Sequence, residues 1–272
     1  MRKRQKRTER NSGKRFSLTQ RDINLLYSLA RMGYLKTSEI ARLFFTSKSG
    51  ANKRLRTLFD AGFVEVFFSS LSDDNVYHLS KKGKELLKNR FQIEENLFAP
   101  LGKTPREHLQ AVNSFRISLI LATERNGITL SFFKPEWELK KENNPNLVSL
   151  IPDALFQIRE ASGRVRNFAL EVDYSGKEDP GYFGKAKVRK YAAMLCSGFP
   201  FYGLQDVKVL VVAMGWTRLA RLASVIIEEQ ASDLFLLAKL EDLNENNILT
   251  CWLVAEDIAR GSLQPFLTSK EG

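Results

Sequence analysis

"SLIPDALFQIR" (Ser149–Arg159) and "NFALEVDYSG" (Asn167–Gly176) decide how the second half of the chain is read. Both have the apolar, aromatic and β-branched content of strands. "EASGRVR" (160–166) joins them, and Gly163 supplies the freedom a tight turn needs, so the pair is predicted to form an antiparallel hairpin. Side chains alternate along a strand, which puts Glu171 and Asp173 on one face with Ala169, and Phe168, Leu170 and Val172 on the other. Hairpin pairing then carries Asp153 to the end of the sheet where Glu171 and Asp173 lie. A few hard carboxylate oxygens converging in one place suit Mg²⁺ or Mn²⁺. An ion so held activates water against a phosphodiester and neutralises the leaving oxygen. A second reading stays open. Asp153 also fits the start of a strand after a turn, and a buried Glu171 requires a partner, which Lys187 or Lys190 could supply in a purely structural ion pair.

Working outward, "REHLQAVNSFRISLILATERNG" (106–127) has helical spacing, with Leu109, Val112, Phe115, Leu119 and Ala122 as its apolar stripe. "ITLSFFKPEWELKK" (128–141) reads as one strand interrupted at Pro135. Beyond the hairpin, "SGKEDPGYFG" (175–184) reads as a loop and "KAKVRKYAAML" (185–195) as a helix. "DVKVLVVAMG" (206–215) is apolar enough for the middle of a sheet. A further helix (217–230) and strand (234–240) follow, and "ILTCWLV" (248–254) adds a last strand pair or edge. The order of helix, three strands, helix and strand predicts an α/β domain with a mixed central sheet.

Among the 272 residues, 43% are hydrophobic and 27% charged, ordinary globular material. The two cysteines, Cys196 and Cys251, exclude a disulfide framework and a cysteine-rich zinc site, and two histidines, His78 and His108, argue against a histidine-based one, so any metal would be a hard cation. No Gly-rich phosphate loop, Ser-His-Asp or Cys-His arrangement stands out. No apolar run approaches a membrane span, and the N-terminus lacks the apolar stretch of a signal peptide. The expected location is the cytoplasm, without a membrane partner.

The net charge of +11 is unevenly placed. Residues 1–92 hold 21 Lys and Arg against 8 Asp and Glu, whereas the remainder holds 21 against 23. All the excess positive charge therefore lies in the first third, as expected for a polyanion-binding module on a near-neutral body. Residues 1–16 form a basic arm with Arg2, Lys3 and Arg4 available to phosphates. Three helices are predicted next, the first capped by Thr19 or Ser17 and ended by Gly33, the second capped by Thr37 or Ser38. "FVEVFFSS" (63–70) and "NVYHLS" (75–80) follow as strands around "LSDD", and "KKGKELLKNR" (81–90) as a helix. Three helices followed by a two-stranded wing resemble a winged helix-turn-helix over residues 17–92. In that fold the third helix enters the major groove. Lys48, Ser49, Asn52, Lys53 and Arg56 are then the candidate DNA contacts, Asn52 for a base edge and the cations for phosphate. Residues 93–105 read as a linker to a second domain over 106–272.

The acidic strands carry a further resemblance. "IPDALFQIR…FALEVDYSG" is similar to the core of the PD-(D/E)XK, or restriction-endonuclease-like, nuclease superfamily, Asp153 matching its first acid and Glu171 its second. "KVRKY" (187–191) resembles the QxxxY element of one branch, with Lys187 in place of glutamine. Joined to a winged helix, with His108 and Asn113 matching a "HxxxxN" helix, the chain resembles the replication-relaxation family of plasmid and mobile-element proteins over roughly residues 17–215. That resemblance implies double-stranded DNA as partner, metal binding by Asp153, Glu171 and Asp173, and phosphodiester hydrolysis by cutting or nicking. A homodimer and replication or transfer machinery are the protein partners it allows. The superfamily's lysine should stand at position 173, where this sequence has Asp173. Lys187 is the displaced catalytic cation on this reading, ahead of Lys185, Lys190 and Lys177. The alternative function is a non-catalytic replication or transfer accessory, or transcriptional regulator, using the second domain for dimer or partner contacts.

Overall fold

The structure is a computed structural model that describes residues 17–67, 74–102, 107–142, 150–173, 184–198 and 200–261. The predicted arm, with Arg2, Lys3 and Arg4, lies outside the described residues, as do most of "LSDD" and all of Lys177. The chain divides into two compact units, residues 1–113 and 114–272.

Unit 1 begins with α1 (Gln20–Met32), whose N-terminus shows why a helix starts there. The Asp22 backbone N–H donates to the Thr19 hydroxyl at 3.3 Å, and the Thr19 N–H donates to the Asp22 carboxylate at 2.7 Å. This reciprocal cap satisfies two otherwise orphaned donors. Asp22 is fully buried and also receives Nε of Arg54 at 2.8 Å, so the same carboxylate caps one helix and ties it to another. Gly33, at φ +75°, ends α1. Strand β1 (Tyr34–Lys36) follows, then α2 (Thr37–Phe44) and α3 (Lys48–Asp60). Strands β2 (Val64–Phe67) and β3 (Val76–Leu79) come next, then α4 (Lys81–Phe91). The sheet order is β1-β3-β2, all antiparallel.

Helix, strand, two helices and a two-stranded wing define a winged helix-turn-helix. The three-residue β1 is too short to show an alternation, which is why the sequence hides it. Helix α2 is capped at Lys36, one residue ahead of the expected Thr37 or Ser38, and the Lys36 N–H donates to Glu39 at 2.7 Å. Residues 93–102 are held against this unit. Phe98 is buried, the Ala99 N–H donates to the Ala30 carbonyl at 2.7 Å, and the Tyr34 hydroxyl donates to the Gly102 carbonyl at 2.6 Å.

Helix α5 (Glu107–Arg125) contains the division between the units. In unit 1, its Asn113 donates through Nδ2 to the Met32 and Tyr34 carbonyls, both at 2.9 Å. Unit 2 continues with β4 (Thr129–Pro135), α6 (Glu136–Glu142), β5 (Ala154–Arg159) and β6 (Val165–Asp173). A π-helical turn (Gly184–Val188) leads into α7 (Arg189–Leu195). Then come β7 (Val207–Ala213), α8 (Trp216–Glu228), β8 (Phe235–Lys239) and α9 (Ala255–Ala259). The sheet order is β4-β5-β6-β7-β8, the first two pairings antiparallel and the last two parallel. This is the mixed α/β sheet expected from the hairpin and the later crossovers.

One face carries Phe133, Phe156 and Phe168 in stacked contact beneath Phe115 of α5. The opposite face carries Leu155, Ala169, Val209, Val211 and Leu237 against Tyr191, Leu219, Leu222 and Ile226 of α7 and α8.

Two segments differ from expectation. "EWELKK" is helical, because Glu136 and Lys140 pair one turn apart at 2.6 Å, Leu139 turns inward, and the charges complement the helix ends. Its alternating letters only mimic a strand. "ILTCWLV" forms a single bridge, Leu237 to Leu253, rather than a strand, since residues 245–250 run through turns.

Asp22 yields a stability test. Burial acts to raise its pKa, but the bonds from Arg54 and Thr19 outweigh it and hold the carboxyl below its ordinary value. Its contribution is therefore fully present above the unfolded pKa and lost as pH falls through the lower folded one. Replacing Asp22 by Ala removes the cap and the tie together. The expected loss for unit 1 is about 2–3 kcal/mol at neutral pH, shrinking toward acid, by urea denaturation followed with circular dichroism.

Candidate functional site

Glu171 occupies the middle of β6, between Leu170 and Val172, with 1% of its surface exposed. Leu170 pairs with Ala154, so one step further puts Asp153 directly across from Glu171. Backbone bonds fix that position: the Asp153 N–H donates to the Leu170 carbonyl at 3.0 Å, and the Glu136 N–H donates to the Asp153 carbonyl at 2.8 Å. The Asp153 side chain accepts the Val172 N–H at 2.7 Å through Oδ2. Side chains opposed across antiparallel strands stand about 5 Å apart, close enough for two carboxylates to repel.

The cation comes from the helix that follows. Lys187 Nζ donates to Glu171 Oε2 at 2.5 Å, and the Tyr191 hydroxyl donates to Oε1 at 2.7 Å. Lys187 and Tyr191 are four residues apart, so one helical turn delivers a donor to each oxygen. Lys187 sits in the π-helical turn, an irregularity that often accompanies functional positions. The other cations named above are placed differently: Lys190 is exposed, the Lys185 side chain and Lys177 lie outside the described residues.

Electrostatics follow from this geometry. Burial, then the charge of Asp153, push the Glu171 pKa up to about 7, against the pull of Lys187 and Tyr191. Burial also acts to lower the Lys187 pKa, but Glu171, Asp153 and Glu136 outweigh it and raise it. The Tyr191 hydroxyl, buried and facing Glu171, is raised well above its ordinary value.

Asp173 belongs to a different contact. Arg218, in the first turn of α8, holds its Oδ2 through Nε at 2.7 Å and Nη2 at 2.6 Å. The structure thus brings Asp153, Glu171 and Lys187 together and engages Asp173 with Arg218. Sequence reasoning missed Arg218. Its signal was available: β7 ends level with Asp173, at Ala213, so a basic residue in the next helix's first turn overhangs that acid. Among the described residues, no group of three or more His, Cys, Asp or Glu side chains is placed to hold a metal ion.

In unit 1, Lys48, Ser49, Asn52 and Lys53 are exposed on α3, while Ala51, Leu55, Leu58 and Phe59 turn inward. Arg56 is half-buried and directed along the helix to Asp60, at 2.9 Å. Lys48 is paired with Asp74 at 2.5 Å, a partner the sequence reading did not anticipate.

A winged helix joined to a mixed α/β unit that buries an acid–lysine–tyrosine cluster is a recognisable kind of protein. The chain belongs to the replication-relaxation family, whose model matches residues 26–200. No curated protein matches the sequence. Among solved structures, Bacillus subtilis PadR in complex with operator DNA is matched at 15% identity over 41% of this chain and 72% of that one. Its TM-score is 0.24, too low to define a shared fold. Among the described residues, no helix is long and apolar enough to cross a membrane.

The cluster makes a spectroscopic prediction. The Glu171 carboxyl should titrate with a midpoint about 7, read from its side-chain ¹³C shift, and not near its ordinary value. Because the folded pKa is raised, the protonated form is the one folding favours. Its stabilising contribution is present below the unfolded pKa and fades as pH rises through 7. Tyr191→Phe leaves Oε1 without its donor, moving the midpoint further up and costing about 1–3 kcal/mol.

Proposed function

We propose that the chain is a DNA-binding protein of a plasmid or other mobile element, in which unit 1 engages duplex DNA through α3. The observation that carries this reading is the exposed face of α3, where Lys48, Ser49, Asn52 and Lys53 stand together in a segment with a large excess of positive charge. Short polar side chains and cations on the third helix are what a groove-entering helix needs. Family membership supports the same reading. Lys53→Ala should weaken binding to duplexes of any sequence and flatten the dependence of affinity on salt by about one unit of slope. Asn52→Ala should weaken a preferred sequence more than others, as a base contact does. Equal affinity of parent and both variants in fluorescence anisotropy would overturn the role of α3.

Unit 2 is proposed to carry a restriction-endonuclease-like site for phosphodiester hydrolysis. Asp153 and Glu171 would hold a Mg²⁺ or Mn²⁺ ion, and hard carboxylate oxygens fit such a cation. The bound ion would supply an activated water and offset charge on the phosphate. The chain's own parts have separate tasks. Asp153, just ahead of β5, and Glu171, on β6, are brought together by backbone bonds, Tyr191 orients Glu171, and Lys187 offers an ammonium to the same carboxylate. Since Lys187 already occupies Glu171 Oε2, a metal ion must share or displace that contact.

That occupied state favours a second reading specifically. Both Glu171 oxygens are already engaged by Lys187 and Tyr191 without any ion, Asp173 is engaged by Arg218, and a non-catalytic accessory or regulator needs nothing more. Supercoiled plasmid decides between them. Hydrolysis predicts nicking that requires Mg²⁺ or Mn²⁺ and falls by about a thousandfold in Asp153→Asn and Glu171→Gln. Retained DNA binding without nicking in either metal establishes the non-catalytic reading.

A further inference from the structure

Asp74 stands two residues ahead of β3, at the root of the wing, and its carboxylate faces two parts of the helix-turn-helix at once. Oδ1 pairs with Lys48 Nζ at 2.5 Å, and Oδ2 accepts the Ser38 backbone N–H at 3.2 Å. Lys48 opens α3, and Ser38 lies in the first turn of α2. The backbone beside Asp74 is anchored independently, because the Thr37 N–H donates to the Asn75 carbonyl at 2.9 Å and the Thr37 hydroxyl to the same oxygen at 3.3 Å. A carboxylate is thus held in place against the leading cation of the recognition face, whatever Lys48 does.

Carboxylate and phosphate oxygens compete for the same ammonium donors. The Lys48 side chain is 58% exposed and that of Asp74 18%, so the lysine reaches solvent while the carboxylate stays mostly covered, and a partly exposed pair of this kind contributes little. We propose that Asp74 is an intramolecular competitor for DNA phosphate at Lys48. It restrains affinity for DNA and sets how that affinity responds to salt. The inference rests on α3 being the DNA-binding helix.

The restraint has a distinct thermodynamic signature. A solvent-exposed lysine that meets a phosphate releases a counterion from DNA, which adds about one unit to the salt slope. Lys48 is already neutralised by Asp74. When it turns to phosphate it uncovers a carboxylate, which recruits a cation, and the two effects oppose each other. In the parent protein, the Lys48 contact therefore adds little to the slope.

The experiment is a double-mutant cycle on the full chain, with a labelled duplex of random sequence titrated across a range of KCl. Asp74→Asn keeps an oxygen for the Ser38 N–H and removes only the charge. It should tighten binding about fivefold at low salt and steepen the slope by about one unit. Lys48→Met should itself weaken the parent, because it removes a cation from the recognition face and uncovers the Asp74 carboxylate, and the gains from Asp74→Asn should be much smaller with Met at 48 than with Lys. Far-UV circular dichroism verifies that each variant is folded. If the parent binds DNA and Asp74→Asn changes neither affinity nor slope, the competitor role is overturned. It is overturned as well if Asp74→Asn gains equally with Met at 48, because that is general charge repulsion and not competition for Lys48. A parent that fails to bind duplex DNA at all instead overturns the DNA-binding reading beneath it.

Discussion

A carboxyl group buried at the centre of a sheet is the constraint on which unit 2 is built. Glu171 lies on a strand paired on both sides, where water does not reach it. A buried charge without a partner costs several kcal/mol, so the surrounding chain must supply donors. It does so with one helical turn, Lys187 to one oxygen and Tyr191 to the other. Asp153 sharpens the demand by placing a second negative charge across the ladder. One ammonium among two opposed carboxylates leaves a residual negative charge, and this is the physical basis for expecting a further cation, a proton or a metal ion.

Unit 1 solves a related problem at lower cost. Asp22, like Glu171, has almost no exposed surface, yet its pKa is held down and not up. Glu171 lies deeper in its unit, where burial raises it most, and the neighbours differ as well. Asp22 receives the Thr19 N–H and hydroxyl and Nε of Arg54, with no opposing carboxylate among the groups acting on it. It works as a cap and a tie between helices. Glu171 shares its surroundings with Asp153 and titrates at about 7. Two buried acids in one chain thus illustrate a structural carboxylate and a titratable one.

Much of this was legible in the sequence, and the failures have specific causes. The β5–β6 hairpin and the shared face of Ala169 and Glu171 follow from period-two alternation, and the structure reproduces both. Lys187 and Tyr191 were marked by the resemblance of "KVRKY" to the QxxxY element, and fixed helical geometry explains why that spacing brings both to one carboxylate. Asp173 shows the limit. Alternation puts it on the face of Glu171, but its partner Arg218 lies 45 residues away across a parallel crossover, and only the register of β6 with β7 reveals the contact. Helix α6 was misread because alternating polar and apolar letters satisfy a strand pattern over so few residues. The Lys48–Asp74 pair was invisible for the same reason as Asp173. It joins residues far apart in sequence whose proximity only the folded wing creates.

The most direct test of the acid–lysine cluster is a crystal structure of the protein grown with Mn²⁺ and duplex DNA, with anomalous scattering used to locate the ion. One Mn²⁺ coordinated by Asp153 and Glu171, with the Lys187 ammonium moved off Glu171 Oε2 toward phosphate, is the result expected of a hydrolytic site. An intact Lys187–Glu171–Tyr191 network with no anomalous peak beside it, at Mn²⁺ concentrations that saturate other carboxylate sites, would contradict it.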